Sequence, residues 1–229
     1  MKQKILASSM ATLFLPFSLS LAHAQSNTSD PVVLPEITVE TTQSDDTGFV
    51  AKKASGITKS DASLLETPQS ISVLTRELLD SQQAVTLTDA LRNVTGVVSG
   101  NFGRRGWDDF IIRGQRATES VFLDGLSVSQ NAWVAQEPFG MERVEVLKGP
   151  ASIMFGKVQP GGMVNMVSKK PRSDAFNEVG VTVGSDNFKQ ATFDSGRPIS
   201  ENGKSAFRIN GLVLERDDPT DFVYQKHRW

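Results

Sequence analysis

Six residues able to grip an anionic or flat ligand fall within thirty positions of this chain: Arg104, Arg105, Trp107, Gln115, Arg116 and Trp133. Guanidinium forks pair with carboxylate or carbonyl oxygens, and indole faces stack on flat apolar surface. The chemistry is that of ligand capture. A scaffold reading stands beside it, in which both tryptophans pack down onto their own domain and the arginines pair with Asp108, Asp109 or Glu119. The groups that usually carry catalysis are missing. There is no cysteine, and the two histidines are His23 and His227, near opposite ends. A His/Cys metal cluster is thereby excluded from the body of the chain, and a Ser-His-Asp arrangement lacks its base. Gly149 with Gly156-Lys157 approaches a phosphate loop. However, six residues (150–155) separate the glycines where four are required, and Val158 stands where a magnesium-binding hydroxyl belongs. These glycines serve tight turns.

The elements that position these residues form an α+β unit. Glu142-Arg-Val-Glu-Val-Leu147 is too short for a helix and reads as a strand. Gly149-Pro150 breaks it, Pro150 suits the first turn of a short helix, and Gly156 suits the position just past its end. Pro160-Gly161-Gly162 forces a turn into a second strand, Met163–Ser168. Ile71 and Val73 share one strand face. Thr75 can cap a helix through Gln83, with Glu77 in its first turn. Thr86 and Asp89 resemble a capping box for a helix whose face is Leu87, Ala90, Leu91 and Val94, with Gly96 as its stop. Phe110–Ile112 and Val121–Leu126 are further strands. Three loops join these elements, Ser99–Asp109, Gln115–Ser120 and Ser127–Pro138, and they hold the six ligand-type residues.

Both flanks differ from this centre. Lys2 and Lys4, an apolar run from Ile5 to Leu21 and Ala22-His23-Ala24 read as a cleavable export signal over 1–24. A membrane helix is the alternative, disfavoured by the short, proline-interrupted run. Signal removal takes two of 24 basic and none of 26 acidic residues, leaving 22 against 26. That mild acidity gives nucleic-acid binding no support. Gln25 to Ser60 is polar and is expected to be largely disordered. Within it Pro35, Glu36, Ile37, Thr38 and Val39 form a lone strand, suited to joining another protein's sheet edge. From Phe176 onward the pattern alternates: Val179, Val181 and Val183 against Gly180, Thr182 and Gly184. Apolar-out, polar-in strands of a membrane barrel show this period. Leu212 and Leu214 break the parity, as they would if they faced an enclosed domain.

Taken together, the string ERVEVLKGPASIMFGKVQPGGMVNMVSKKP and the shorter matches ETPQSISV, IRG and FLDGL resemble the plug domain of the TonB-dependent siderophore receptors. The resemblance covers almost the whole chain. It implies a plug of small mixed β-sheet and short helices over 58–171, an arm over 25–57 with a TonB box at 34–40, and the first antiparallel strands of an incomplete transmembrane β-barrel over 172–229. It implies an outer-membrane location, TonB with its ExbB-ExbD motor as partner, a ferric siderophore as ligand and barrel lipid around the whole. No reaction, cofactor or protein-bound metal is implied, since iron arrives already chelated. The loops bearing Arg104, Arg105, Trp107, Gln115, Arg116 and Trp133 correspond to the plug apices that contact ligand. Arg113 and Lys148 match basic residues that pair with carboxylates on the inner barrel wall and lock the plug.

A membrane strand needs about 9–11 residues, so the last segment leaves room for three, against about 22 in a plugged transporter barrel. An open sheet of that size leaves its edges unpaired in hydrocarbon. The chain is therefore expected to be a fragment or a prematurely ended reading frame. Two alternatives remain: a receptor for another bulky ligand such as cobalamin, and a free periplasmic plug-like binding module.

Overall fold

The computed structural model describes residues 48–100, 108–128, 135–200 and 205–217, and 224–228 as backbone alone. The export signal, the TonB box and Arg104, Arg105, Trp107 and Trp133 lie outside the described residues.

A five-stranded mixed sheet forms the centre. Its strands are β1 (Ile71–Thr75), β5 (Val121–Leu123), β6 (Leu126–Ser127), β7 (Met141–Lys148) and β8 (Gly162–Ser168), in the order β1-β7-β8-β5-β6. Only β5 and β8 run parallel. Alternation sends Val144, Val146, Val164 and Met166 to one face, where they pack with Leu79, Leu87, Leu91 and Phe110. The other face sends Leu147 and Met163 against Ile57, Phe122 and Ala151. Both faces of β7 and β8 are thus buried, which explains why their sequence reads as nearly continuous apolar residues. A second sheet joins β2 (Val97–Ser99), β3 (Phe110–Ile112) and β4 (Gln115–Arg116).

The helices are short. In α2 (Arg76–Ser81), Thr75 caps the first turn by accepting from the Leu78 N–H. In α3 (Leu87–Leu91), both bonds of the Thr86–Asp89 capping box are made. Both end sooner than the sequence pattern suggests. Gln83 lies at φ 49°, outside α2. Gly96, expected as the stop of α3, instead adopts φ 78° five residues later and leads into β2. Val94 is buried beyond the helix end, so its burial mimicked a longer helical face. Pro150 does not sit in the first turn of α4 (Ser152–Phe155) but before its N-cap, Ala151. The expected loops over 115–120 and 127–138 also give up residues to strands β4 and β6, because each edge strand is formed by a two-residue hairpin.

Part of the polar segment expected to be largely disordered as far as Ser60 is structured: residues 48–60 are described. Within it, α1 (Ser55–Thr58) is docked by the fully buried Ala54 and Ile57. A four-residue helix has no periodic signature, and Ile57 is its single large apolar residue.

After the plug comes an antiparallel meander of β9 (Phe176–Val183), β10 (Lys189–Pro198), β11 (Ala206–Asp217) and β12 (Tyr224–Arg228). It has four strands, not three, because β12 pairs five residues with β11. No closed barrel is present among the described residues. Val179, Val181 and Val183 point outward, 83, 77 and 75% exposed. The opposite face meets the plug: Leu212 and Leu214 are buried. Asp194 on that face takes both Arg208 Nε (2.8 Å) and Nη2 (2.7 Å), and Lys169 Nζ at 2.8 Å. Lys169 also lies over the Phe139 ring, 4.1 Å from its centre. Wall and plug thus meet through a buried ion cluster as well as through apolar contact.

Candidate functional site

The β3–β4 hairpin carries three of the expected site residues. Its turn is Arg113-Gly114, at φ 51° and 76°. Two consecutive left-handed residues are what a two-residue type I′ hairpin requires. Asp124-Gly125 repeats the device between β5 and β6, at φ 50° and 82°. Gln115 and Arg116 follow the first turn and are exposed. The Pro160-Gly161-Gly162 turn closes against this hairpin. A Cβ on Gly161 would stand 2.5 Å from the Ile112 carbonyl and 2.6 Å from Gln115 Cβ, so only glycine fits.

Arg113 and Lys148 come together at the same end. Lys148 Nζ donates to Ser72 Oγ at 2.9 Å and to the Thr95 carbonyl at 3.3 Å. Partial burial, and then the Arg113 charge, depress the Lys148 ammonium below the usual lysine range. Two cations stand side by side, and no ion pair joins either to a carboxylate among the described residues.

Where the described chain resumes at Asp108 and Ala135 lies a group that the sequence did not single out as a site. Asp108 and Asp109 close the loop 101–107 and are both buried. Asp108 Oδ2 accepts the Gln136 N–H at 2.7 Å, which ties this loop's root to that of loop 129–134. Asp109 Oδ1 accepts from Thr118 Oγ1 at 3.1 Å. Burial raises the Asp108 carboxyl to about 7, against the opposing Gln136 bond. Glu137 is also raised to about 7, by burial first. Arg216 opposes that shift, while the Asp108 and Asp89 charges add to it. The signal available in the sequence was the adjacent acidic pair next to the Arg-rich loop.

A cavity of about 920 Å³ opens between the plug helices and the β9–β10 hairpin. Arg76, Thr88, Asp89, Phe188 and Arg216 are among its lining residues, whereas Gln115 and Arg116 are not.

A small mixed sheet of this order, joined to a meander that turns its valines outward, defines a plug domain with the start of a barrel wall. Residues 63–163 match the TonB-dependent Receptor Plug Domain family. The ferrioxamine B receptor of Salmonella typhimurium is 34% identical over 190 residues, covering 80% of this chain and 27% of that protein. The ferrichrome outer membrane transporter/phage receptor of Escherichia coli is 34% identical over 171 residues, covering 72% and 23%. The closed form of the ferric-catecholate import receptor Fiu of Escherichia coli superposes with a TM-score of 0.68 at 29% identity, over 78% of this chain and 25% of that one. Over 63–163 the chain carries a plug domain of the TonB-dependent receptors, followed by the strands of the meander. It spans about a quarter of the length of the curated relatives it matches.

Proposed function

We propose that this chain is the plug-bearing part of an outer-membrane receptor that takes up ferric siderophores of the hydroxamate type. The observation that carries the reading is the plug match over 63–163, together with relatives named for ferrioxamine and ferrichrome. Both of those ligands are hydroxamate chelates of iron. In this reading the plug fills the barrel, and the chelate is gripped from above by Arg104, Arg105, Trp107, Gln115, Arg116 and Trp133. Iron is cargo held by its chelator, and the protein performs no reaction on it. Residues 1–24 direct export and are removed. TonB, driven by ExbB-ExbD, pairs with Pro35 to Val39 by strand addition and pulls on the arm. Arg113 and Lys148 face carboxylates of the barrel wall and lock the plug, a role supported by their standing together with no carboxylate partner among the described residues.

The test uses the complete receptor in cells stripped of their own siderophore receptors. Radiolabelled iron is supplied as ferrioxamine B, ferrichrome or a catecholate chelate, with labelled cobalamin in parallel. Uptake of the hydroxamates that vanishes without TonB is the expected result. Ile37→Pro removes a backbone donor and should abolish uptake while leaving surface binding intact. Uptake of catecholate alone would overturn the ligand class, and uptake of cobalamin alone would overturn the siderophore reading. Normal uptake by the proline variant would overturn the strand-addition step.

A further inference from the structure

We infer that Glu145 anchors a latch that ties α1, the first helix after the arm, to the middle of the plug sheet. Tension on the arm must open this latch before it parts the strands of the sheet. The source of that tension rests on the function proposed above, whereas the latch itself is read from the fold.

Glu145 lies on β7, directly opposite Asn165 of β8, and is fully buried. Three segments converge on it, β7 itself, α1 and β8, and a fourth joins through Asn165. Arg143 Nε donates to Oε1 at 2.8 Å, and the Gly56 N–H of α1 donates to the same oxygen at 3.3 Å. Asn165 Nδ2 donates to Oε2 at 3.4 Å, while its Oδ1 accepts the Gly125 N–H of the β5–β6 turn at 2.9 Å. Arg143 reaches α1 as well, its Nη2 donating to Ser55 Oγ at 3.2 Å. The fit leaves no room at position 56. A Cβ there would stand 2.5 Å from Glu145 Oε2 and 2.6 Å from Asn165 Nδ2. One residue on, Ile57 enters the apolar cluster of Phe122, Leu147, Ala151 and Met163.

Local contacts hold α1 only weakly: beyond its own backbone bonds, Thr58 Oγ1 donates to the Ala54 carbonyl at 3.1 Å. The helix is one turn long with no side-chain cap, and so short a helix does not persist unaided. Upstream, Thr75 Oγ1 donates to the Gly48 carbonyl at 2.8 Å and the Leu64 N–H to the Lys52 carbonyl at 2.9 Å. Downstream stand the five residue pairs of β1 with β7. A pull arriving at Gly48 therefore meets a single side-chain bond to Thr75 at the end of β1 and the Lys52–Leu64 bond, then the latch, and only then the backbone pairing of β1 with β7.

The chemistry suits a contact that must open and close. A buried ion pair adds little stability over an apolar replacement. Once α1 lifts, water can solvate Glu145, Arg143 and Asn165, which an apolar latch would not allow. Release is then confined to α1, and the core packed on the opposite sheet face stays closed.

The chain has no cysteine, so with any thiol elsewhere in the receptor replaced by serine, a single introduced thiol reports cleanly. Ala54→Cys places it at the fully buried N-cap of α1, and Ala90→Cys at a fully buried site in α3. In the complete receptor in outer membranes, both thiols should resist a hydrophilic maleimide. Adding Gly56→Ala or Glu145→Ala should speed labelling at position 54 at least tenfold and leave position 90 unchanged. Unchanged labelling at 54 would overturn the latch. Acceleration at both positions would overturn it too, because the whole plug would then have loosened. In cells with ligand and energised TonB, labelling at 54 should also rise. Uptake proceeding with position 54 still protected would overturn the order of release. A clear contrast at 54 in a receptor that imports no ferric siderophore would uphold the latch and sink the proposed function.

Discussion

The same residue type has opposite fates in the two halves of this molecule. In the plug sheet, Val144, Val146 and Val164 are buried to within a few per cent. In the meander, Val179, Val181 and Val183 are at least 75% exposed. Both sets sit in strands, and neighbouring strands pair with both. The difference is the neighbour across the face. Strands β7 and β8 have helices on one side and α1 with α4 on the other. Strand β9 has β10 beside it and the plug helices behind it across the cavity, with no described residue covering its valines in front. Apolar surface of that extent marks an interface still to be covered, and in a barrel wall the covering is lipid. Buried charge follows the same division. Glu145 is satisfied wholly within the plug, whereas Asp194 is satisfied by one cation from the plug exit, Lys169, and one from the wall, Arg208.

Substitutions can break or sharpen this contrast, and the largest effect belongs to the plug core. Phe110→Ala removes a fully buried ring and should cost about 3–5 kcal/mol in denaturant unfolding. A cost below 1 kcal/mol would show that the plug core is not packed as described. Next comes the seam. Asp194→Ala takes the carboxylate from buried Lys169, leaves Arg208 its longer contact to Glu142 at 3.5 Å, and should cost about 3 kcal/mol. It should also expose the linker over 171–175 to protease, which the plug substitution need not do.

A smaller effect is expected from pH. Burial raises the Asp108 carboxyl from 3.8 to about 7. The folded protein therefore holds that proton more tightly than the unfolded chain. The resulting stability is fully present below pH of about 4 and is lost as pH rises through about 7. Glu137 acts in the same direction. Unfolding at pH 5 and pH 8 should differ by on the order of 2 kcal/mol, with the protein weaker at pH 8. Asp108→Asn cannot titrate and should flatten much of that slope.

Two lesser changes complete the series. Thr86→Ala removes one arm of a formed capping box and should cost about 1 kcal/mol. Val181→Ala, on the outward face of the meander, should change the unfolding of this chain by no more than about 0.5 kcal/mol. A loss as large as that of Phe110→Ala would mean that this face is covered by protein.

Much of this architecture was legible in the residues. Alternating valines named the outward face of β9, and Leu212 and Leu214 were marked as facing inward because they broke the parity. Thr75, Thr86 and Asp89 announced two helix starts, since a cap needs only residues within three positions of one another. The string from Met141 to Pro171 identified the plug and, through it, the family. These signals are local, set by side-chain period, capping chemistry and turn geometry.

Other features had no local signature. Helix α1 is one turn in a polar stretch, and it exists because Gly56 and Ile57 meet β7 and β8, nearly ninety residues away in the case of Glu145. Edge strands β4 and β6, two residues each, exist because tight hairpins fold them back onto neighbours. The pairing of Asp108 with Gln136 and of Asp194 with Lys169 and Arg208 joins positions that only the folded chain brings together. The sequence determined which strands were apolar, where the two capped helices begin and which family the plug belongs to, because those depend on period and on near neighbours. The tertiary structure alone decided which charges are buried, what holds the start of the plug and which carboxyls titrate near neutrality, because desolvation and long-range hydrogen bonds depend on what packs across the gap.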